Sequence, residues 1–84
     1  MKRQPWRTCV ALRGYRDLRP GRKPTVIEPC CRAEPAGAGS TAWLVFDFSG
    51  ERRPNELSQK AAAAKLRAMG AARIVREWRY NATS

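Results

Sequence analysis

The sequence predicts a small α+β domain: a mainly antiparallel four-stranded sheet in the order β-β-β-α-β, with one Ala-rich helix packed on one face. Three features predict this class. The first third of the chain holds two strand-like stretches separated by a Pro-Gly turn. The middle holds a continuous apolar run, WLVF. A run of four alanines then lies between Ser58 and Gly70, two residues that favour the start and the end of a helix.

The first two strands are predicted at residues 7–14 and 23–32, paired as a hairpin. Residues 7–14, RTCVALRG, follow a period of two, which is typical of a strand. Pro20 and Gly21 suit the second and third positions of a type II turn, because proline fixes a negative φ and glycine supplies a positive one. The N-terminal part of the chain is therefore expected to form a β-ribbon.

The second and third strands are expected to differ in their place in the sheet. Pro24 and Pro29 favour an edge position for the second strand, because proline donates no ladder hydrogen bond. Residues 33–41, AEPAGAGST, predict a mobile loop. Residues 42–48, AWLVFDF, predict an interior strand covered on more than one side. Residues 49–54 predict a basic connecting loop.

The helix is predicted over residues 59–69. Ser58 is a favourable N-cap, and Gly70 suits the position after the last turn. Helical spacing places three apolar residues on one stripe: Ala62, Leu66 and Met69. The opposite stripe carries Lys60, Ala64 and Arg67. We therefore expect a thin apolar face against the sheet and a basic face towards solvent.

The last element, residues 73–80, fits both helical and strand spacing. The Gly at position 70 and the β-branched pair Ile74 and Val75 favour a strand. Residues 42–80 then form a strand–helix–strand unit, right-handed by default. In outline, the stretch WLVFDFSGERR…LRAMGAARIVREW resembles the first β-α-β unit of ferredoxin-like domains, some of which handle nucleic acid. The resemblance covers about half of the chain and implies a fold, not a function.

Length and cysteine usage set the expected class of protein. We expect one domain, residues 1–84, with flexible ends at 1–6 and 81–84. With neither a secretory signal nor an apolar run long enough to span a membrane, a cytoplasmic protein is expected. An odd cysteine count, with Cys30 and Cys31 adjacent, predicts reduced thiols in or beside the core. The lack of His and of a C-x-x-C pair argues against a metal site.

Charge is the strongest functional indication in the chain. There are 17 Lys+Arg against 7 Asp+Glu and no His, a formal net charge of +10. Residues 1–23 hold eight basic side chains and one acidic one. Residues 24–50 hold one basic and three acidic side chains, and residues 51–84 hold eight basic and three acidic ones. Such self-repulsion gives a folded domain nothing, so it indicates an anionic partner, nucleic acid or a nucleoprotein.

Two groups of residues are the candidate binding sites. The hairpin tip offers cations and one aromatic ring: Arg13, Tyr15, Arg16, Arg19, Arg22 and Lys23. Guanidinium groups bind phosphate oxygens through paired hydrogen bonds, and a tyrosine ring can stack on an unpaired base. The second group lies at the helix start and along its outer face: Arg52, Arg53, Lys60 and Arg67. The alternative for both groups is an ordinary solvated surface.

Catalytic chemistry is not expected. Asp47, at the end of the third strand, is the acid best placed for it, but it has neither a His nor a second carboxylate as partner. No Gly-rich phosphate loop precedes a helix, so no cofactor is expected either.

The sequence thus predicts a non-enzymatic basic module that contacts DNA, RNA or a nucleoprotein through Arg–phosphate contacts. The alternative is a small phage or mobile-element inhibitor of the anti-CRISPR type, or an adaptor. Such a protein would bind an acidic surface of a host nucleoprotein complex. A membrane partner is not expected, because the helix has no strongly apolar face. An edge strand at residues 24–32 or 73–80 would allow a homodimer.

Overall fold

Five strands and one helix make up the computed structural model, which describes residues 7–17, 27–37 and 40–80. The elements are β1 (Arg7–Asp17), β2 (Ile27–Pro35), β3 (Trp43–Phe46), β4 (Arg52–Glu56), α1 (Gln59–Ala68) and β5 (Arg73–Tyr80). The strands form one sheet in the order β4-β3-β2-β1-β5, and every neighbouring pair is antiparallel. The predicted α+β class with one helix is confirmed.

The predicted count of four strands was wrong, because β4 was taken for a loop. Its sequence, RRPNE, has two charges in front of Pro54 and little strand character. The backbone nevertheless pairs with β3, where Arg52 lies opposite Phe46 and Arg53 opposite Val45. Proline is tolerated on this strand because β4 is an edge of the sheet. The predicted β-α-β unit therefore contains two strands before its helix, and β5 pairs with β1 rather than with β3.

The expected edge position of the second strand was also wrong. β2 lies between β1 and β3, and the register of its pairing with β1 shifts beside Pro29, which lies opposite Tyr15. A β-bulge interrupts the ladder, so a proline there costs little. β2 continues to Pro35, so the first three residues of the predicted 33–41 loop are strand. Of the predicted edge strands, only β5 is one, and the homodimer through it stays a prediction.

Some predictions fall on residues that the structure does not describe. The predicted turn at Pro20 and Gly21 lies outside the described residues. The same is true of residues 23–26, of both predicted flexible ends and of residues 38–39 in the predicted mobile loop. The hairpin pairing of the first two strands is confirmed by the antiparallel register of β1 and β2.

The helix begins and ends close to the predicted residues. Ser58 is the N-cap, and its hydroxyl oxygen accepts a hydrogen bond from the Ala61 N–H at 3.0 Å. Gly70 follows the helix with φ of +112°, a conformation that glycine adopts without strain. The face packed on the sheet is formed by Ala62, Ala63 and Leu66. The small alanines let the helix approach the sheet closely.

The helix covers one face of the sheet and leaves the other open. Leu12, Val45 and Leu66 are the largest fully buried side chains, and they lie between α1 and the strands. Successive side chains of a strand point to opposite faces. Arg13 therefore points away from the helix, as does Arg32, its direct neighbour on β2. One face of the sheet is thus the core, and the other is basic and open.

Candidate functional site on the helix-free face

The helix-free face carries a row of cationic and apolar side chains that crosses all five strands. From β4 to β5 the row consists of Arg52, Phe46, Arg32, Arg13 and Val75, each directly opposite the next in the sheet register. Residues that lie directly opposite each other in a sheet share a face and are close enough to interact. The row therefore places three guanidinium groups and an aromatic ring on one flat surface.

A second row next to the first carries two aromatic side chains, Tyr15 and Phe48. Tyr15 lies opposite Pro29 on one side and opposite Arg73 on the other. Phe48 follows β3 and is 66% exposed, an unusual fraction for a phenylalanine. Between the two rows lies an open groove of about 360 Å³, lined by side chains that include Arg13, Tyr15, Arg32, Phe46 and Phe48. This volume is within the range of small-ligand clefts.

The two central arginines of the face are only weakly held. The Arg13 guanidinium is 3.4 Å from the Glu77 carboxylate, and the Arg32 guanidinium is 3.4 Å from that of Glu34. Both arginine side chains are 50% exposed, and such exposed pairs contribute about 0–1 kcal/mol. The Arg32 guanidinium also lies 4.8 Å from the centre of the Phe46 ring, a cation–π distance. Both guanidinium groups can therefore turn to an incoming anion at little cost.

The glutamates of this face lie on one side of the arginine row, while Asp47, which is paired with Arg53, lines the groove itself. Glu77 lies opposite Ala11, and Glu34 lies opposite Leu44, on the row beyond the arginines and away from Tyr15. The face therefore has a polarity: an acidic row, an arginine row, and an aromatic row that ends at Arg73. An anion is favoured towards the aromatic end and disfavoured at the acidic end.

Asp47 organises the turn that presents Phe48. Its Oδ1 accepts hydrogen bonds from the Ser49 hydroxyl (2.7 Å), the Ser49 N–H (3.0 Å) and the Glu51 N–H (2.9 Å). Its Oδ2 lies 2.9 Å from Nη2 of Arg53. The hydrogen bond from the Ser49 hydroxyl is the largest cause that holds the pKa of Asp47 below its ordinary value. The carboxylate is thus fully engaged in holding the turn, which is a structural role.

The structure divides the residues predicted as binding sites. Arg13, Tyr15 and Arg52 share the helix-free face. Arg53 is on the helix side, because it lies opposite the fully buried Val45. The remaining predicted residues of the tip, Arg19, Arg22 and Lys23, lie outside the described residues.

The other predicted cations lie away from the groove or at its margin. Arg16 donates to Oε1 of Glu28 at 2.7 Å, and its guanidinium lies 5.5 Å from the centre of the Phe48 ring. Lys60 and Arg67 are exposed on the side of α1 that is next to Arg76 of β5, across the sheet from the groove. The predicted second patch is therefore not one surface, since Arg52 and Arg53 lie on β4 at one edge of the sheet and Lys60 and Arg67 lie on α1 next to β5 at the other edge.

Sequence reasoning missed three residues of the face. Arg32 lies in the segment of net negative charge, and Phe46 and Phe48 belong to a run that was interpreted as a covered strand. The exposure pattern of β3 alternates, with Trp43 and Val45 buried and the residues between and after them partly exposed. The same alternation in the sequence would have placed Phe46 on the face opposite the core.

The cysteines are buried in the core, and two of them, Cys30 and Cys31, also border the groove. All three are free and buried, as predicted. The sulfur atoms of Cys30 and Cys31 are 3.1 Å apart. Burial, with a hydrogen bond between the Cys31 and Cys30 thiols, raises the pKa of Cys31 to about 12. No group of three or more His, Cys, Asp or Glu side chains that could hold a metal ion occurs among the described residues.

Comparisons of the chain with protein-family models, with curated proteins and with solved structures give no match. The part of the chain that the structure describes contains no helix with the length and apolar character needed to cross a membrane. The geometry of the helix-free face therefore carries the functional argument.

Proposed function

We propose that this protein is a non-enzymatic module that binds single-stranded nucleic acid on the helix-free face of its sheet. The observation that carries the proposal is the groove where Arg13, Arg32, Tyr15, Phe46 and Phe48 meet. Proteins that bind single strands combine a positively charged groove with aromatic rings on which bases stack. Both parts are present here on one open surface.

The aromatic rings supply the stacking surface. Tyr15 and Phe46 are partly buried, so their rings are held by the sheet while one part stays accessible. Phe48 extends the surface beyond β3. Unpaired bases stack on aromatic rings and also on guanidinium planes, so the Arg32 group over Phe46 can itself carry a base. Each stacked base contributes about 1–3 kcal/mol.

The arginines at the margins supply the phosphate contacts. Arg52 donates a hydrogen bond to Oδ1 of Asn55 at 3.2 Å. Neither Arg52 nor Arg73 has an acidic partner among the described residues. Guanidinium groups bind phosphate oxygens bidentately. The acidic row of Glu34 and Glu77 repels phosphates, so the strand is expected to lie towards Tyr15 and Phe48.

The alternative function is an inhibitor or adaptor of phage or mobile-element type that acts in the cytoplasm and binds an acidic protein surface. It would use the same arginines but would need no stacking on the rings. Neither function requires a cofactor or a metal ion. A substitution that removes the Phe48 ring and keeps the charge therefore distinguishes the two functions, because it weakens binding only where the partner stacks on the ring.

The test is binding of fluorescently labelled single-stranded DNA, single-stranded RNA and duplex DNA, measured by anisotropy across a salt series. Phe48→Leu is expected to weaken single-strand binding by about 5- to 150-fold, the value of one stacked base. Phe48 is largely exposed, so this change leaves the fold intact. The control is Tyr80→Leu, which removes a ring that is 59% exposed and lies opposite Arg7 at the end of β5. Undetectable binding to every probe at low salt would refute the proposal and make the acidic protein partner the leading hypothesis.

A further inference from the structure

Three cations converge around a hollow on the helix side of the sheet. Lys60 and Arg67 come from α1 and Arg76 comes from β5, with Gln59 and Ala63 completing the lining. The hollow has a volume of about 420 Å³. No carboxylate lines it, and none of its three cations forms an ion pair within the described residues.

The fold forces this convergence. Lys60, Ala63 and Arg67 are three and four residues apart, so they follow one another along a single stripe of α1. Arg76 lies directly opposite Leu12, which is fully buried beneath the helix, so Arg76 also projects to the helix side. The edge strand β5 thus brings a third positive charge beside the two on the helix.

What sets this group apart among the described cations is that three side chains without an acidic partner surround one hollow. Five basic side chains elsewhere in the described part have a carboxylate within 4 Å: Arg13, Arg16, Arg32, Arg53 and Lys65. Three unpaired positive charges around one hollow raise the local positive potential, which favours an anion in that space.

We propose that this hollow binds phosphate groups of the same single strand whose bases lie on the helix-free face, so that the strand crosses the β5 edge of the sheet. The inference rests on the proposed function. The side chains of β5 alternate between the two faces, so Arg73 and Arg79 point to the helix-free side and Arg76 to the helix side. A nucleic-acid backbone that leaves the groove past Arg73 therefore reaches Arg76 once it has crossed the edge strand β5.

The test compares a long and a short labelled single strand, about 20 and about 5 nucleotides, the short one matching the smallest single-domain sites. The key variant is the triple change Lys60→Gln, Arg67→Gln and Arg76→Gln. The single change Arg67→Gln is measured beside it, and Lys65→Gln is its matched control, because Lys65→Gln removes one charge from the same helix at a position beside Glu56 instead of the hollow. Thermal unfolding checks that each variant is folded.

On the long strand, the slope of log affinity against log salt is expected to flatten by about 0.7 for each lost phosphate contact, or by about 2 for the triple variant. Between about 50 and 200 mM salt the native protein then loses about 20-fold more affinity than the variant. Lys65→Gln is expected to keep the native slope, and the short strand is expected to bind native protein and triple variant alike.

Two results would overturn the inference. One is that, on the long strand, the triple variant shows the same slope of log affinity against log salt as the native protein. The other is an equal loss of affinity on both strand lengths, which would show a general effect of net charge. Both differ from failure of the proposed function, in which the native protein binds neither strand.

Discussion

Replacement of Gly14 by alanine is expected to destabilise the protein through lack of space alone. Gly14 is buried in the middle of β1, and its φ is not among the positive values found at Gly50 and Gly70. A Cβ at this position would lie 2.7 Å from the Cys31 sulfur and 3.0 Å from the Ala71 Cβ. Non-bonded heavy atoms normally lie about 3.5–4.0 Å apart.

Neither the Cys31 sulfur nor the Ala71 Cβ can easily move away from a new methyl group at position 14. The Cys31 sulfur is 3.1 Å from the Cys30 sulfur and 3.7 Å from the Leu66 carbonyl oxygen. The Ala71 Cβ is bonded directly to a backbone whose N–H donates to that same oxygen at 3.0 Å. Overpacking of this kind costs about 1–3 kcal/mol, and alanine recovers about 0.4–1 kcal/mol by restricting the unfolded chain. The expected net loss is about 1–2 kcal/mol, or about 4–16 °C in Tm for a chain of this size.

The assay is urea unfolding followed by tryptophan fluorescence, in a double-mutant cycle with Cys31→Ala. Removal of the sulfur frees the space that the new methyl group needs, so Gly14→Ala is expected to cost at least about 1 kcal/mol less in the Cys31→Ala background. Two results would refute the reasoning: a Gly14→Ala variant within about 0.5 kcal/mol of the native protein, or an equal cost in both backgrounds.

Two further predictions concern ionisable groups. The pKa of Asp47 is lowered by folding, so its charge stabilises the native state above the ordinary carboxyl pKa of about 3.9, and this contribution is lost as the pH falls through the lower folded value. Asp47→Asn is therefore expected to reduce the free energy of unfolding at about pH 7, and its difference from the native protein is expected to shrink as the pH falls below the ordinary carboxyl pKa; equal stability at pH 7 would contradict this role. Since burial raises the pKa of Cys31 to about 12, its alkylation by iodoacetamide at about pH 8 is expected to be slow in the native protein and fast in urea. Mass spectrometry of digested samples measures this, and native labelling as fast as in urea would refute it.

The helix and the last strand were predictable because their determinants are local. Ser58 caps α1 through its own hydroxyl, and Gly70 ends it through its own φ, so sequence alone locates both ends within a residue. β4 was not predictable in this way. Its residues, including Pro54, have little strand preference, and their extended backbone is held by pairing with β3 at the edge of the sheet. Propensity does not report such a tertiary contact.

Some residues of the candidate site were likewise predictable from the sequence, and others were not. Arg13 and Tyr15 were found because they lie in the most basic segment of the chain. Arg32 and Phe46 were missed because their place beside Arg13 depends on the register between β1, β2 and β3. A shift of one residue in either register would send these side chains to the core face. The basic composition predicts an anionic partner, whereas the strand register determines which residues lie together on the surface proposed to bind it.

The position of β5 beside β1 also governs how the chain reaches its native state. Arg7 pairs with Tyr80 and Tyr15 with Arg73, so the sheet closes only through residues that lie between 58 and 73 positions apart in the chain. Pairings this distant form late, and until then the outer edge of β1 is an unpaired strand that another copy can join. The arginines along both strands disfavour that mispairing, because like charges opposite each other are destabilising. Neutral substitutions in β5 are therefore expected to appear first as aggregation during synthesis, before any loss of binding by the folded protein.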